Sequence, residues 1–262
     1  MMADDSVLVR RDGATLHVSL NRPRKRNALN REMLDALHGA LDRAEAEGVS
    51  VMVLGGSAGV FCAGADLSAY ADALDDIEAL ADFGARAKSL THRLSQSPVV
   101  VVAAVDGVAM GGGFELVLSC DIVLATDRAR FGLPEIRLGL IPGWEGTQRL
   151  ARHIGPNRAK EAIMLARVLS AEDLHAAGLV NHVVASEDLE RYAAEFADEL
   201  TAQAPLALAA AKSSITAAVE PDPASTGSAL ETQALLGLFR SADGREGVTA
   251  FLHKRAARFT GR

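Results

Sequence analysis

Two glutamates and the glycines around the first of them are the residues of this chain best suited to chemistry. Glu115 follows Gly111-Gly112-Gly113-Phe114 and sits in the first turn of a helical run, Phe114 to Cys120. The glycines are preceded by Val99-Val100-Val101-Val102-Ala103-Ala104-Val105, bounded by Pro98 and Asp106-Gly107. This apolar, mostly β-branched run predicts a strand buried on both faces. Strand, glycines and helix in that order leave bare backbone N–H groups at a helix N-terminus, where a negative oxygen can be held. Glu135 follows Gly132-Leu133-Pro134 in a second loop. Two carboxylates beside a backbone donor site are the parts needed to move protons at a carbon next to a carbonyl. A second donor is available in Phe61-Cys62-Ala63-Gly64-Ala65-Asp66-Leu67, where Asp66 is a natural helix N-cap and the N–H of Ala65 lies just before it.

The elements that must position these groups are legible in outline. Val7–Arg11 and Ala14–Leu20 alternate about Asp12-Gly13 and predict a hairpin. Asn30 caps a helix that carries Met33, Leu34, Leu37 and Leu41 on one face and stops at Glu47-Gly48. Val49–Leu54 reads as a buried strand. Residues 67–97 read as two alanine- and leucine-rich helices, broken near Asp75-Asp76 or Phe83-Gly84, and include Tyr70, which could cover a pocket. Beyond the centre come a strand at 121–125, a turn or short strand at 129–132 and a helical turn at Pro134-Glu135-Ile136. A helix follows from Thr147, another from Arg158 capped by Asn157, one capped by Ser170, and an edge strand at 180–184. From Glu187 the chain is helical, with Pro205 opening one helix, Pro221-Asp222-Pro223 breaking it, and a last helix from Gly247 to Phe259. Strands thus give way to helices, a β/α core with an all-helical C-terminal part.

Composition narrows the function. The 262 residues are 49% hydrophobic and 23% charged, with 4% aromatics, so alanine, valine and leucine must fill a generous core. A net charge of -7 provides no general basic field for nucleic acid or a membrane surface. Cys62 and Cys120 lie in apolar surroundings and read as buried reduced thiols, with no framework for disulfides or a metal. The opening Met1-Met2-Ala3-Asp4-Asp5 has no apolar stretch behind it, and a cytoplasmic protein is expected. Asn21-Arg22-Pro23-Arg24-Lys25-Arg26 reads as an exposed basic loop, either a solvated charge run or a phosphate-binding edge. Gly55-Gly56-Ser57-Ala58-Gly59 matches the spacing of a serine nucleophile elbow, but no helix starts behind the serine, so a glycine turn is the better account. A dinucleotide fingerprint is likewise excluded, because Met110-Gly111-Gly112-Gly113 lacks the required glycine spacing.

Three blocks together resemble the enoyl-CoA hydratase/isomerase (crotonase) family: residues 61–67, residues 103–116, and Phe131-Gly132-Leu133-Pro134-Glu135-Ile136 running on to Pro142-Gly143. Asn21-Arg22-Pro23 with Asn27-Ala28-Leu29-Asn30, and the closing Phe251-Leu252-His253-Lys254-Arg255, are similar too. The resemblance implies an α/β, crotonase-like spiral of ββα units over residues 1–200 and a helical region at 201–262 that drives homotrimers, usually paired into hexamers. It implies an acyl-CoA thioester substrate, with coenzyme A as part of the substrate and no separate cofactor. Its thioester oxygen would be held by the N–H groups of Ala65 and Gly112. Glu115 and Glu135 would hold one water, one taking its proton and the other, at 135, delivering a proton to the α-carbon. The resemblance gives Arg24, Arg26, Ala28 and Lys254 to the coenzyme A end, and Ala63, Asp66, Leu67 and Gly111 to the acyl-CoA contacts. Relatives commonly carry lysine where Ser68 stands here, and small residues where Trp144-Glu145 stand. Glu145 is therefore a candidate second base, a selector of acyl groups or a solvent-facing side chain. The expected activity is hydration of a trans-2-enoyl-CoA; double-bond isomerisation or acyl-CoA binding without turnover are the alternatives.

Overall fold

The computed structural model describes residues 6–68, 76–219 and 226–260. Tyr70, the Asp75 side of the expected helix break and Pro221–Pro223 lie outside them.

A six-stranded sheet carries the core, in the order β1 (Val7–Asp12), β2 (Thr15–Leu20), β3 (Val51–Gly56), β4 (Val100–Val105), β6 (Ile122–Thr126) and β9 (His182–Val184). The β1–β2 hairpin is antiparallel and every other pair parallel, with Val51 opposite Val100 and Val102 opposite Ile122. The valine run is buried on both faces, as its composition predicts. Val101, Ala103 and Val105 join the main core with α1 (Arg31–Ala46) and α2 (Ile77–Gln96), whereas Val100 and Val102 face Leu189, Ala193 and Ala197 of α7 (Leu189–Thr201). Asn30 caps α1 by accepting the Met33 N–H at 3.0 Å.

A second sheet, β5 (Val108–Met110), β7 (Arg130–Gly132) and β8 (Leu169–Ser170), was not evident in the sequence. The chain reverses at Asp106-Gly107, where Gly107 has φ +65° and a Cβ would stand 2.2 Å from the Gly59 carbonyl oxygen. Only after β5 does Gly111, at φ 51°, open α3 (Gly112–Leu118). The central unit is therefore strand, turn, short strand, glycine and helix.

Helices follow: α4 (Gly146–Ile154), α5 (Pro156–Met164), α6 (Ala171–Ala176), α8 (Pro205–Val219), α9 (Thr226–Arg240) and α10 (Ala242–Leu252). One alternative is narrowed, the Phe83-Gly84 break giving way to the Asp75-Asp76 one, and three expectations change. Helix α2 runs unbroken through Phe83-Gly84, its start fixed by Asp76 accepting the Ala79 N–H. Helix α5 begins at Pro156 behind Gly155, two residues ahead of the expected start, because proline is favoured in the first turn. Helix α10 is capped by Ser241 and ends at Leu252 rather than running from Gly247 to Phe259. Lys254 takes φ 52°, and Glu246 and Asp243 accept the N–H groups of Arg258 and Thr260, so the tail folds back along the helix. Of the two cysteines Cys62 is buried, but Cys120 keeps partial exposure.

One buried cation ties α8 to the sheet. Lys212 donates to the carbonyls of Leu94 and Val99 at 2.7 and 2.8 Å and pairs with Asp121 at 2.7 Å. Apolar Leu206, Ile215 and Val219 of the same helix stand exposed. Among the described residues no helix is long and apolar enough to cross a membrane.

Candidate active site

Glu115 and Glu135 line one cavity of about 250 Å³, formed where α3, the 3₁₀ turn Glu135–Leu138 and the 61–67 loop converge. Glu115 is buried, and its Oε1 accepts the backbone N–H groups of Trp144 and Gly146, each at 2.8 Å. Gly146 permits this approach, since a Cβ there would stand 2.7 Å from that oxygen. Glu135 reaches the other side of the glycines: a Cβ on Gly111 would meet its Oε1 at 3.0 Å. Its Oε2 is closed off from solvent and has no hydrogen-bond partner among the described residues.

Burial governs the titration of both acids. Glu115 is held well above the usual carboxylate range by burial first, then by the charges of Glu135 and Glu231. Glu135 is pushed up to about 7 by burial, with a further contribution from Glu231. Two N–H donors favour the charged form of Glu115, and Glu135 has no equivalent pair.

The donor groups face the same space. Leu29 bridges Ala65 in parallel fashion: the Leu29 N–H donates to the Gly64 carbonyl and the Asp66 N–H to the Leu29 carbonyl, both at 2.8 Å. The alternation of extended backbone then turns the Ala65 N–H away from Leu29, and Ala65 lines the cavity. Gly112, the first residue of α3, lines it too, and its nitrogen is 3.6 Å from where a Gly64 Cβ would stand. The first N–H groups of a helix have no partner within it. Trp144 covers the outer side of Gly112, with a ring carbon 2.0 Å from where a Cβ would stand, and rests against Phe83 at 5.8 Å between ring centroids.

Of the other predicted residues, Ala63, Leu67, Gly111 and Trp144 line the cavity. Asp66 is turned from it, pairing with Arg22 at 3.1 Å and accepting from Ser68 at 2.6 Å. Arg24 and Arg26 stand exposed on the loop that leads to buried Ala28, whose carbonyl accepts from Arg22 at 2.6 Å. Lys254 is exposed beyond the end of α10. The Glu145 carboxylate points to Arg149 at 3.0 Å, with both side chains buried, so it is part of an ion pair under the site rather than a group facing the cavity. Ser57 sits in a turn and donates its N–H to Leu20, with no helix behind it, as the glycine-turn reading requires.

Sequence reasoning missed the contribution of the C-terminal helices. Leu235, Phe239 and Phe251 line the cavity. Glu231, one turn before Leu235 on α9, is buried and accepts the N–H groups of Glu145 at 2.7 Å and Thr147 at 3.1 Å. The available signal was a carboxylate in register with Leu235 and Phe239, at i, i+4 and i+8, on the apolar stripe of one helix.

The sequence profile described as enoyl-CoA hydratase/isomerase matches residues 10–262. The chain belongs to that family. A 2,3-dehydroadipyl-CoA hydratase of Escherichia coli (strain K12) is 39% identical over 257 residues, covering 98% of this chain and 99% of its own. A short-chain-enoyl-CoA hydratase of Clostridium acetobutylicum is 36% identical, over 96% of both chains. The crystal structure of an enoyl-CoA hydratase from Mycobacterium avium subsp. paratuberculosis K-10 superposes with a TM-score of 0.86 at 29% identity, over 97% of this chain and 98% of that one. The mixed α/β crotonase fold expected from the three sequence blocks is thereby shown, and the α9 and α10 side chains belong to the cavity of this hydratase/isomerase family member.

Proposed function

We propose that this protein adds water reversibly across the double bond of a trans-2-enoyl-CoA thioester. The observation that carries the reading is the pair of carboxylates, Glu115 buried and Glu135 half-buried, on one cavity with backbone donors between them. The thioester oxygen would sit between the N–H groups of Ala65 and Gly112, where the enolate charge develops; one such donor is worth about 3–4 kcal/mol in the transition state. Glu115, its carboxylate oriented by two amides, takes a proton from water as the oxygen adds to the β-carbon. Glu135, whose carboxyl burial pushes up to about 7, delivers a proton to the α-carbon. The two carboxylates and two donors supply the whole reaction, so no cofactor beyond the substrate's own coenzyme A is required. Names of the relatives support the same chemistry, since both curated relatives quoted above are hydratases of enoyl-CoA thioesters.

The coenzyme A end of the substrate is assigned to Arg24, Arg26 and the Ala28 backbone, with Lys254 contributed across a subunit boundary. A homotrimer, paired into a hexamer, is part of the proposal; the exposed apolar side chains of α8 support association. A cytoplasmic location is proposed with it. The test is loss of enoyl absorbance with crotonyl-CoA and longer trans-2-enoyl-CoA esters. Absorbance that stays unchanged across the panel, with binding of the esters intact, would overturn the reading.

A further inference from the structure

The backbone from Trp144 to Thr147 is gripped from two sides. The N–H groups of Trp144 and Gly146 point to Glu115, each at 2.8 Å. Those of Glu145 and Thr147 point the opposite way, to Glu231 at 2.7 and 3.1 Å. The Thr147 hydroxyl donates to Glu231 as well. Alternate amides of one four-residue segment thus serve two carboxylates, one from α3 and one from α9. Both Glu231 oxygens act only as acceptors, Oε1 from Glu145 and Oε2 from Thr147, which is the pattern of an ionised carboxylate. Glu145 takes φ 75°, a strained conformation for a residue with a side chain, and no side chain caps α4.

We infer that Glu231 is a positioning residue for the hydration: by holding the amides of Glu145 and Thr147 it fixes the direction of the Trp144 and Gly146 N–H groups that orient Glu115. The inference rests on the function proposed above. Glu231 touches no reacting atom in it and acts through the loop. The charged groups around Glu231 are Lys88 of α2, whose ammonium donates to neighbouring Thr232 at 3.0 Å, the Glu145–Arg149 pair, Glu115 and Glu135. Its negative charge therefore opposes ionisation of Glu115 while its hydrogen bonds hold Glu115 in place. The two effects separate on substitution.

Glu231→Gln removes the charge and keeps an acceptor for the Glu145 N–H, but its amide nitrogen faces the Thr147 N–H, which loses its acceptor, and can only donate to the Thr147 hydroxyl. Glu231→Ala removes everything. Misplacing a reacting group by about 1 Å costs on the order of 100-fold in rate. The expected result for Glu231→Ala is a fall in kcat of about 10- to 100-fold with KM changed by less than about threefold. Glu231→Gln, which still holds the Glu145 amide, should recover part of that kcat, and the acidic limb of its kcat/KM profile should move to lower pH because Glu115 loses a like-charged neighbour. The same titration can be followed without turnover, through the pH dependence of the Trp144 and Gly146 amide resonances in the intact protein, whose midpoint should drop in Glu231→Gln. Wild-type kcat and an unshifted profile in Glu231→Ala would overturn the inference. So would a loss of kcat in Glu231→Ala that Glu231→Gln does not recover, accompanied by an unmoved amide titration. A wild-type protein that fails to hydrate any enoyl-CoA would overturn the proposed function instead, and the amide titration alone would then decide the role of Glu231.

Discussion

Glu135→Gln should give a protein that is inactive yet more stable at alkaline pH. Glu135 titrates at about 7 against an ordinary 4.5, because burial disfavours its charged form. Its folded-state proton affinity exceeds that of the unfolded chain, so the native protein binds more protons between those values and loses stability as pH rises through them. The carboxyl contributes no such penalty below about pH 4.5, and the full penalty above about pH 7. At about 1.4 kcal/mol per pH unit the penalty is about 3 kcal/mol; the residue is only half-buried, although its Oε2 is closed off, and screening reduces the figure to about 2 kcal/mol. An amide cannot ionise and escapes the cost. Thermal unfolding of the two proteins at pH 4.5 and pH 8 reads the difference. Tm values should coincide at the lower pH and diverge by roughly 4–8 °C at the higher, with the variant above. Hydration of crotonyl-CoA by the variant should fall by about 10²–10⁴-fold, the usual contribution of a positioned acid. Equal Tm values at pH 8, or turnover within tenfold of wild type, would refute the reasoning.

Other substitutions probe other links. Gly112→Ala places a methyl group 2.0 Å from a Trp144 ring carbon; displacement of the indole should cost about 1–3 kcal/mol in unfolding free energy and more than tenfold in kcat, read by denaturant titration and the enoyl assay. Lys212→Met removes the cation that two carbonyls and Asp121 share, and denaturation should show a loss of about 3 kcal/mol. Arg24→Ala with Arg26→Ala should raise KM for a coenzyme A ester by about tenfold while leaving turnover of a short pantetheine-like thioester unchanged; equal effects on both esters would remove these cations from the coenzyme A end.

The sequence made the core of the site readable because its parts are local. The valine run, the glycines and Glu115 fall within twenty residues, and each has a short-range signature: β-branching, absence of a side chain, first-turn position. The Ala65 loop was readable for the same reason, through the cap at Asp66. What stayed hidden depends on pairing at a distance. Strand β5 has three residues and is defined by β7, so no periodicity announces it. Glu145 looked like a third acid in the site until its partner Arg149 was seen beneath it, one turn along α4. Glu231 lies 86 residues from the amide of Glu145 that it accepts, and only the docking of α9 gives it a role. Helix ends erred where a tertiary contact overrode propensity, as at the tail that Glu246 and Asp243 fold back on α10.

The contact of α10 with the 3₁₀ turn bears on how the protein is made. A Cβ on Gly247 would stand 2.1 Å from the Leu138 carbonyl oxygen, and one on Gly139 would stand 2.7 Å from that of Asp243, so bare backbone meets bare backbone directly behind Glu135. These surfaces are more than 100 residues apart in the chain, and such non-local contacts close late because loop entropy must be lost first. During translation the sheet, Glu115 and Glu135 emerge well before Gly247. A chain ending near residue 220 lacks the Glu231, Leu235, Phe239 and Phe251 side chains that complete the cavity and hold its loop, so the site is finished only by the last part of the chain to be made.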